Sequence, residues 1–121
     1  MFDWAYYIDL AELLLQSPDE ASKRSAISRA YYAVYGVACR LQPNTNKYSG
    51  SSHKGYWEQW IHDPNPAKQK LSIDGNRLWK YRKRADYESV VRNISQDAVT
   101  AVHMAKRLLG EIQKLSGQGL F

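Results

Sequence analysis

Cysteine is almost absent. Cys39 is the one thiol in 121 residues, which excludes a disulfide framework and a cysteine metal site. It lies in an apolar run and reads as a small core residue rather than a nucleophile. Histidine is scarce as well. His53, His62 and His103 stand far apart, and the paired Glu-x-x-His segments of a di-metal bundle are missing. No metal and no cofactor is therefore expected. No apolar run approaches the roughly 18 residues that cross a bilayer, and no signal peptide opens the chain. A non-membrane, cytoplasmic protein is the expectation. No glycine-rich phosphate loop of Walker type and no Rossmann fingerprint is present. Glu12, Glu20 and Glu88 form no evident acid pair, so nucleotide-hydrolase and glycosidase chemistry is poorly served. No alternating apolar pattern of useful length appears, which argues against a sheet. Internal repeats and low-complexity tracts are also missing.

What the chain does have is charge of one sign in one place. Of the formal +5, residues 1–46 contribute −1, residues 47–92 contribute +5 and residues 93–121 contribute +1. The basic middle third also carries Tyr48, Tyr56, Trp57, Trp60, Trp79, Tyr81 and Tyr87. Cations interleaved with aromatic rings suit single-stranded nucleic acid, where phosphates pair and bases stack. The ordinary alternative is that these rings form the core of a small domain.

The length fits one domain over residues 1–121, large enough to bury a core without staples. Helical periodicity predicts a first helix over Phe2–Leu15, with Phe2, Ala5, Tyr6, Ile8, Leu10, Leu13 and Leu14 on one broad face. Ser17-Pro18-Asp19-Glu20 reads as a helix start, with Ser17 as cap, Pro18 first and Glu20 completing a capping box. The second helix should run from Pro18 to about Leu41. Ile27, Ala30, Tyr31, Val34, Tyr35, Ala38 and Leu41 lie along its apolar face, with Lys23, Arg24 and Ser28 toward the other side. Breaks are expected at Pro43-Asn44-Thr45-Asn46, at Ser49-Gly50-Ser51-Ser52 and at Asp63-Pro64-Asn65-Pro66. Between the last two, a short helix opens at His53 and runs to about Ile61. A fourth helix spans about Ala67–Arg84, with an interruption at Asp74-Gly75-Asn76 left open. A fifth spans about Ser95–Leu115, striped by Ala98, Val99, Val102, Ala105, Leu108, Leu109, Ile112 and Leu115. Residues 116–121 should fray. The fold class is all-α, an antiparallel up-and-down bundle of four or five helices.

The stretch Leu78-Trp79-Lys80-Tyr81-Arg82-Lys83-Arg84-Ala85-Asp86-Tyr87 carries the chemistry. Residues three and four apart share a helix face, so Arg82 and Asp86 are neighbours and Tyr87 lies beside them. Arginine forks two donors onto a phosphate with permanent charge, and Asp86 can hold the fork still. The alternative is a solvated face with an ordinary ion pair. Metal-free ribonuclease chemistry needs a base for the 2′-hydroxyl, an acid for the leaving oxygen and cations for the phosphate. Arg82 and Arg84 can supply the cations. His53, flanked by Ser51, Ser52 and Lys54, is the best base on offer because imidazole titrates near neutrality. An ordinary phenol is protonated at pH 7, so Tyr87 suits an acid or a hydrogen-bond donor. The alternative for His53 is a residue that merely starts a helix. His62 reads as a turn residue and His103 as a structural one. On the second helix, Arg29 and Tyr32 are three apart, and Tyr31 and Tyr35 four apart. Three phenols on an apolar helix need partners for their hydroxyls, and the basic segment can provide them. A tyrosine-rich core seam is the alternative.

Arg24-Ser25-Ala26-Ile27-Ser28-Arg29-Ala30-Tyr31-Tyr32-Ala33-Val34-Tyr35, then Ser52-His53-Lys54-Gly55, then Arg82-Lys83-Arg84-Ala85-Asp86-Tyr87 together resemble a HEPN domain, of the small prokaryotic branch with R-x-x-Y-Y and R-x-x-A-D-Y helices. The resemblance implies a helical bundle, usually a homodimer. It implies a component of a toxin–antitoxin or anti-phage defence system that binds RNA or nucleotide phosphate, in many members a metal-independent endoribonuclease. The alternative it carries is a non-catalytic module docking on a partner such as a nucleotidyltransferase. Carried onto this chain, Arg82, Asp86, Tyr87 and His53 are the candidate catalytic residues. Arg84, Lys54, Arg29 and Tyr32 are the candidate RNA- or phosphate-binding ones. The family's ribonucleases show Arg, four to six residues, then His. Counting from Arg82, Tyr87 stands where that histidine would be.

Overall fold

The computed structural model describes residues 1–45, 48 and 52–121. Asn46, Lys47, Ser49, Gly50 and Ser51 lie outside the described residues, and with them most of the expected Ser-Gly-Ser-Ser break. Among the described residues the fold is all-α: α1 (Tyr6–Leu15), α2 (Glu20–Leu41), α3 (Ser52–Ile61), α4 (Pro66–Tyr87) and α5 (Ile94–Gly117). α2 is the spine, packed against α1, α4 and α5, while α3 lies on α4.

The helix ends show where local chemistry overrode the sequence pattern. α1 begins at Tyr6, not Phe2, because the Asp3 carboxylate accepts from the Ala5 N–H at 3.0 Å and Phe2, Trp4 and Tyr7 gather into one aromatic cluster ahead of the helix. α2 begins at Glu20 and is capped by Asp19 rather than Ser17. Asp19 accepts from both the backbone N–H and the hydroxyl of Ser22, each at 2.9 Å. A carboxylate satisfies the orphan donors of a helix start and suits its positive end. Those two bonds hold the Asp19 carboxyl below the usual range.

α4 runs unbroken through Asp74-Gly75-Asn76. Gly75 is there for packing: a Cβ on it would lie 2.5 Å from the Trp57 ring. The Asp74 carboxylate, buried, is met by Arg107 of α5 at 3.2 Å. Beyond the last turn of α5 the chain closes on itself. Leu120 N–H returns to Leu115 C=O at 3.1 Å and Gly119 N–H to Ser116 C=O at 3.0 Å, with Gly119 at φ +72°. This is a Schellman closure, whose left-handed position favours glycine. Phe121 then stacks within 5.5 Å of Trp60 and under the Lys68 ammonium at 4.5 Å.

The core is aromatic at its centre, with Tyr31, Tyr56, Trp57 and Trp60 fully buried. Burying such rings dominates the energetics of a domain this size. The α5 stripe is Ala98, Ala101, Val102, Met104, Ala105, Leu108, Leu109, Ile112 and Leu115. Val99, expected on it, is exposed. His103, expected among core neighbours, is also exposed, because the buried positions fall on either side of it.

Candidate phosphate site

Three helices bring the sequence-predicted residues together. On α4, Arg82 Nε donates to Asp86 at 2.8 Å, and an Arg82 terminal nitrogen donates to the Tyr87 hydroxyl at 3.3 Å. Ser28 of α2, buried rather than on the outer side, donates to Asp86 at 3.2 Å. Asp86 thus ties the arginine to the spine helix. Among the described residues, the second terminal nitrogen of Arg82 keeps its donors for a ligand. Arg82 also lies over the Tyr32 ring, with Cζ 5.1 Å from its centroid. Arg29 approaches the rings of Tyr7 at 4.8 Å and Tyr32 at 5.8 Å. A guanidinium held against a ring face keeps its in-plane donors available.

α3 supplies His53. Its ring is half-buried among Tyr31, Tyr32 and Tyr35, with centroids 5.4, 6.0 and 4.5 Å away. Its Nδ1 is 2.7 Å from the Tyr31 hydroxyl, and that hydroxyl accepts from the Trp57 indole N–H at 3.1 Å. The basic segment does supply the partners that the buried Tyr31 phenol needs. Trp57's part was not legible in the sequence. Its only signal was a buried phenol in need of a donor.

This chain of bonds fixes a tautomer by elimination. Indole N–H can only donate, so it donates to Tyr31. The Tyr31 proton, fully buried, must then find an acceptor, and His53 Nδ1 is the one at hand. Neutral His53 therefore carries its proton on Nε2. Burial first, and the Arg82 charge second, pull the His53 pKa below its ordinary value, so at neutral pH the ring is uncharged. In that state Nε2–H is a donor. The lone pair that a base would use, on Nδ1, is engaged with Tyr31.

The other predicted residues stand apart. Arg84 turns toward α5, 3.9 Å from Asp97, with Tyr81 under its guanidinium at 4.8 Å. It lines a separate groove with Lys80, Lys83, Tyr87 and Glu88. Lys54 follows His53 on α3 and borders a hollow with Trp57, Glu58, Ile61, Ser72, Ile73 and Asn76. No group of His, Cys, Asp and Glu among the described residues is arranged to hold a metal ion. No helix of the described residues is long and apolar enough to cross a membrane.

No protein-family model, no curated protein and no solved structure matches this chain.

Proposed function

We propose that this protein is a HEPN-like component of a toxin–antitoxin or anti-phage defence system that binds the phosphate of single-stranded RNA, or of a nucleotide, in the cluster of Arg82, Tyr32, His53, Asp86 and Tyr87. The observation that carries the reading is that two donor groups, each held by its own hydrogen bonds, both pack near the Tyr32 ring. Arg82 comes from α4, held by Asp86, and the Nε2–H of His53 comes from α3, held by Tyr31 and Trp57. Preorganised donors in a half-buried setting recognise an oxyanion at little reordering cost. Binding is favoured over cleavage, since endoribonuclease activity requires His53 to exchange its Tyr31 bond before it can take a proton.

A second reading, docking on a partner protein or on a second copy of the chain, has one observation behind it. Tyr6, Leu10 and Leu13 lie along one side of α1 and are 63%, 39% and 63% exposed. A dimer mass by light scattering would support the second copy, and a heteromer on co-expression with a candidate nucleotidyltransferase would support the partner protein.

The deciding experiment is RNA binding as a function of salt, because a phosphate contact releases counterions. Wild type should bind a short single-stranded RNA at low salt and lose it steeply as salt rises. Arg82→Ala should weaken binding and reduce the salt slope by about one. Salt-insensitive or absent binding removes the basis of the reading. An accompanying cleavage assay in EDTA tests the endoribonuclease alternative.

A further inference from the structure

Beside the phosphate cluster lies a cavity of about 350 Å³, lined by Met1, Trp4, Tyr32, Tyr35, Gly36, Cys39 and Arg40. Its lining is almost wholly apolar. Nothing in the sequence pattern announced it, because it is assembled from the segment ahead of α1 and one face of α2. Its floor is set by Gly36: a Cβ there would come within 2.3 Å of the Trp4 ring. The absent side chain lets Trp4 lie directly against the α2 backbone. Trp4 is in turn fixed by edge contacts with Phe2 and Tyr7, at 5.3 and 5.6 Å. Two of its polar lining groups, those of Cys39 and Tyr35, are held uncharged. Burial pushes the Cys39 thiol and the Tyr35 hydroxyl above their ordinary values.

Two of its walls are shared with the phosphate cluster. Tyr32 carries Arg82 against its ring, and Tyr35 packs on His53 at 4.5 Å. Arg40 stands exposed at the rim. The cavity is thus an aromatic, mostly apolar slot with a cation at its rim and an oriented arginine beside one wall. A nucleotide within a single strand has the complementary layout, a base with a flat π-face on a sugar flanked by two anionic linkages.

Resting on the phosphate reading, we infer that this slot receives a nucleobase of single-stranded RNA, stacked on Trp4 and Tyr32, while the adjoining phosphate engages Arg82 and His53. Every base has a π-face, so such a slot accepts bases by stacking with modest sequence preference. Binding by this route selects single strands, since a base held in a duplex stack is not free to enter.

Trp4 makes the inference directly readable. It is 37% exposed, whereas Trp57, Trp60 and Trp79 are 1%, 0% and 7% exposed. A base stacking in the slot should therefore quench the emission of Trp4. The test uses a single-stranded hexaribonucleotide and an abasic oligomer of the same backbone length, at low salt. The hexaribonucleotide should quench wild type, and Trp4→Phe should retain binding while losing the quench. The abasic oligomer should bind on the order of tenfold more weakly, without quenching. Trp4→Leu should bring hexaribonucleotide affinity down toward the abasic level. Equal affinity for the two oligomers, with no base-dependent quench, overturns the slot while leaving phosphate binding in place. Binding of neither oligomer to wild type overturns both.

Discussion

The Tyr31 hydroxyl stands 2.7 Å from His53 Nδ1 and, with the Trp57 indole N–H behind it at 3.1 Å, leaves Nε2 as the ring nitrogen that carries the proton of the neutral histidine. The two residues are 22 positions apart and sit on different helices. Neither would have a defined role without the other. Tyr31 places its proton, and His53 has its tautomer chosen for it, as second-layer partners do for histidines in other kinds of site. The proposed phosphate site rests on an arginine and a histidine that both donate.

Tyr31→Phe should therefore act in two ways. It strands the Trp57 indole N–H in the core, and an unsatisfied buried donor costs about 1–3 kcal/mol. It also frees His53 Nδ1, so the Nδ1–H tautomer becomes populated. Chemical denaturation reads the first effect. Imidazole nitrogen shifts by NMR read the second. A wild-type protein already in the Nδ1–H form would contradict the donor sequence from Trp57 through Tyr31 to His53.

His53 should also give folding stability a pH dependence of known sign. Its native pKa is lowered by burial and by Arg82, below the ordinary 6.5. The unfolded chain thus takes up the proton at higher pH than the native protein does. The resulting stability is fully present above 6.5 and falls as pH drops from there to the lowered native value. Denaturation midpoints across that window should decline in wild type and decline less in His53→Gln. Equal slopes would place the titration elsewhere.

Much of this fold was legible as periodicity. The apolar face of α2 and most of the α5 stripe follow from spacing alone, as does the Arg82–Asp86–Tyr87 group, in which Asp86 and Tyr87 follow Arg82 by about one helical turn. What spacing could not show was packing across helices. Ser28 reads as an outward polar residue, yet it is buried because Asp86 of α4 accepts its proton. Asp19 displaced Ser17 as cap because Ser22 offered it two donors. The base role given to His53 rested on ordinary imidazole chemistry. The hydrogen bond that engages its Nδ1 joins two helices. The Trp4 slot depends on a close approach to Gly36, which a linear pattern does not reveal.

Gly75 tests that point most sharply. In an exposed helix interior, glycine to alanine gains about 1 kcal/mol. Here the new methyl would meet the Trp57 ring at 2.5 Å, and overpacking a tight core typically costs about 1–3 kcal/mol. Gly75→Ala should come out destabilising, with Trp57 shifted. Because Trp57 orders Tyr31 and His53, RNA affinity should fall as well. A stabilised variant with an unmoved Trp57 would mean that α3 yields freely at this contact.

The last prediction concerns Arg24, whose donors all go to the end of α4 and to Glu20. One of its terminal nitrogens donates to the carbonyls of Ala85 at 3.0 Å and Glu88 at 2.6 Å, and the other to Ser89 at 3.2 Å. Its Nε is steadied by Glu20 at 3.0 Å. The end of α4, whose last carbonyls lack partners within the helix, is thereby clamped to α2. That end carries Asp86 and Tyr87, the two groups that aim Arg82. Arg24→Ala should cost about 1–3 kcal/mol of stability and loosen the last turn of α4. Arg24→Lys keeps the charge but lacks the planar fork, so it should recover only part of the loss. Hydrogen exchange at the Tyr87 and Glu88 amides should quicken in both variants, more in the alanine. RNA affinity should follow the same order. Unchanged exchange, together with lowered affinity, would mean that Arg24 meets the RNA directly rather than positioning Arg82.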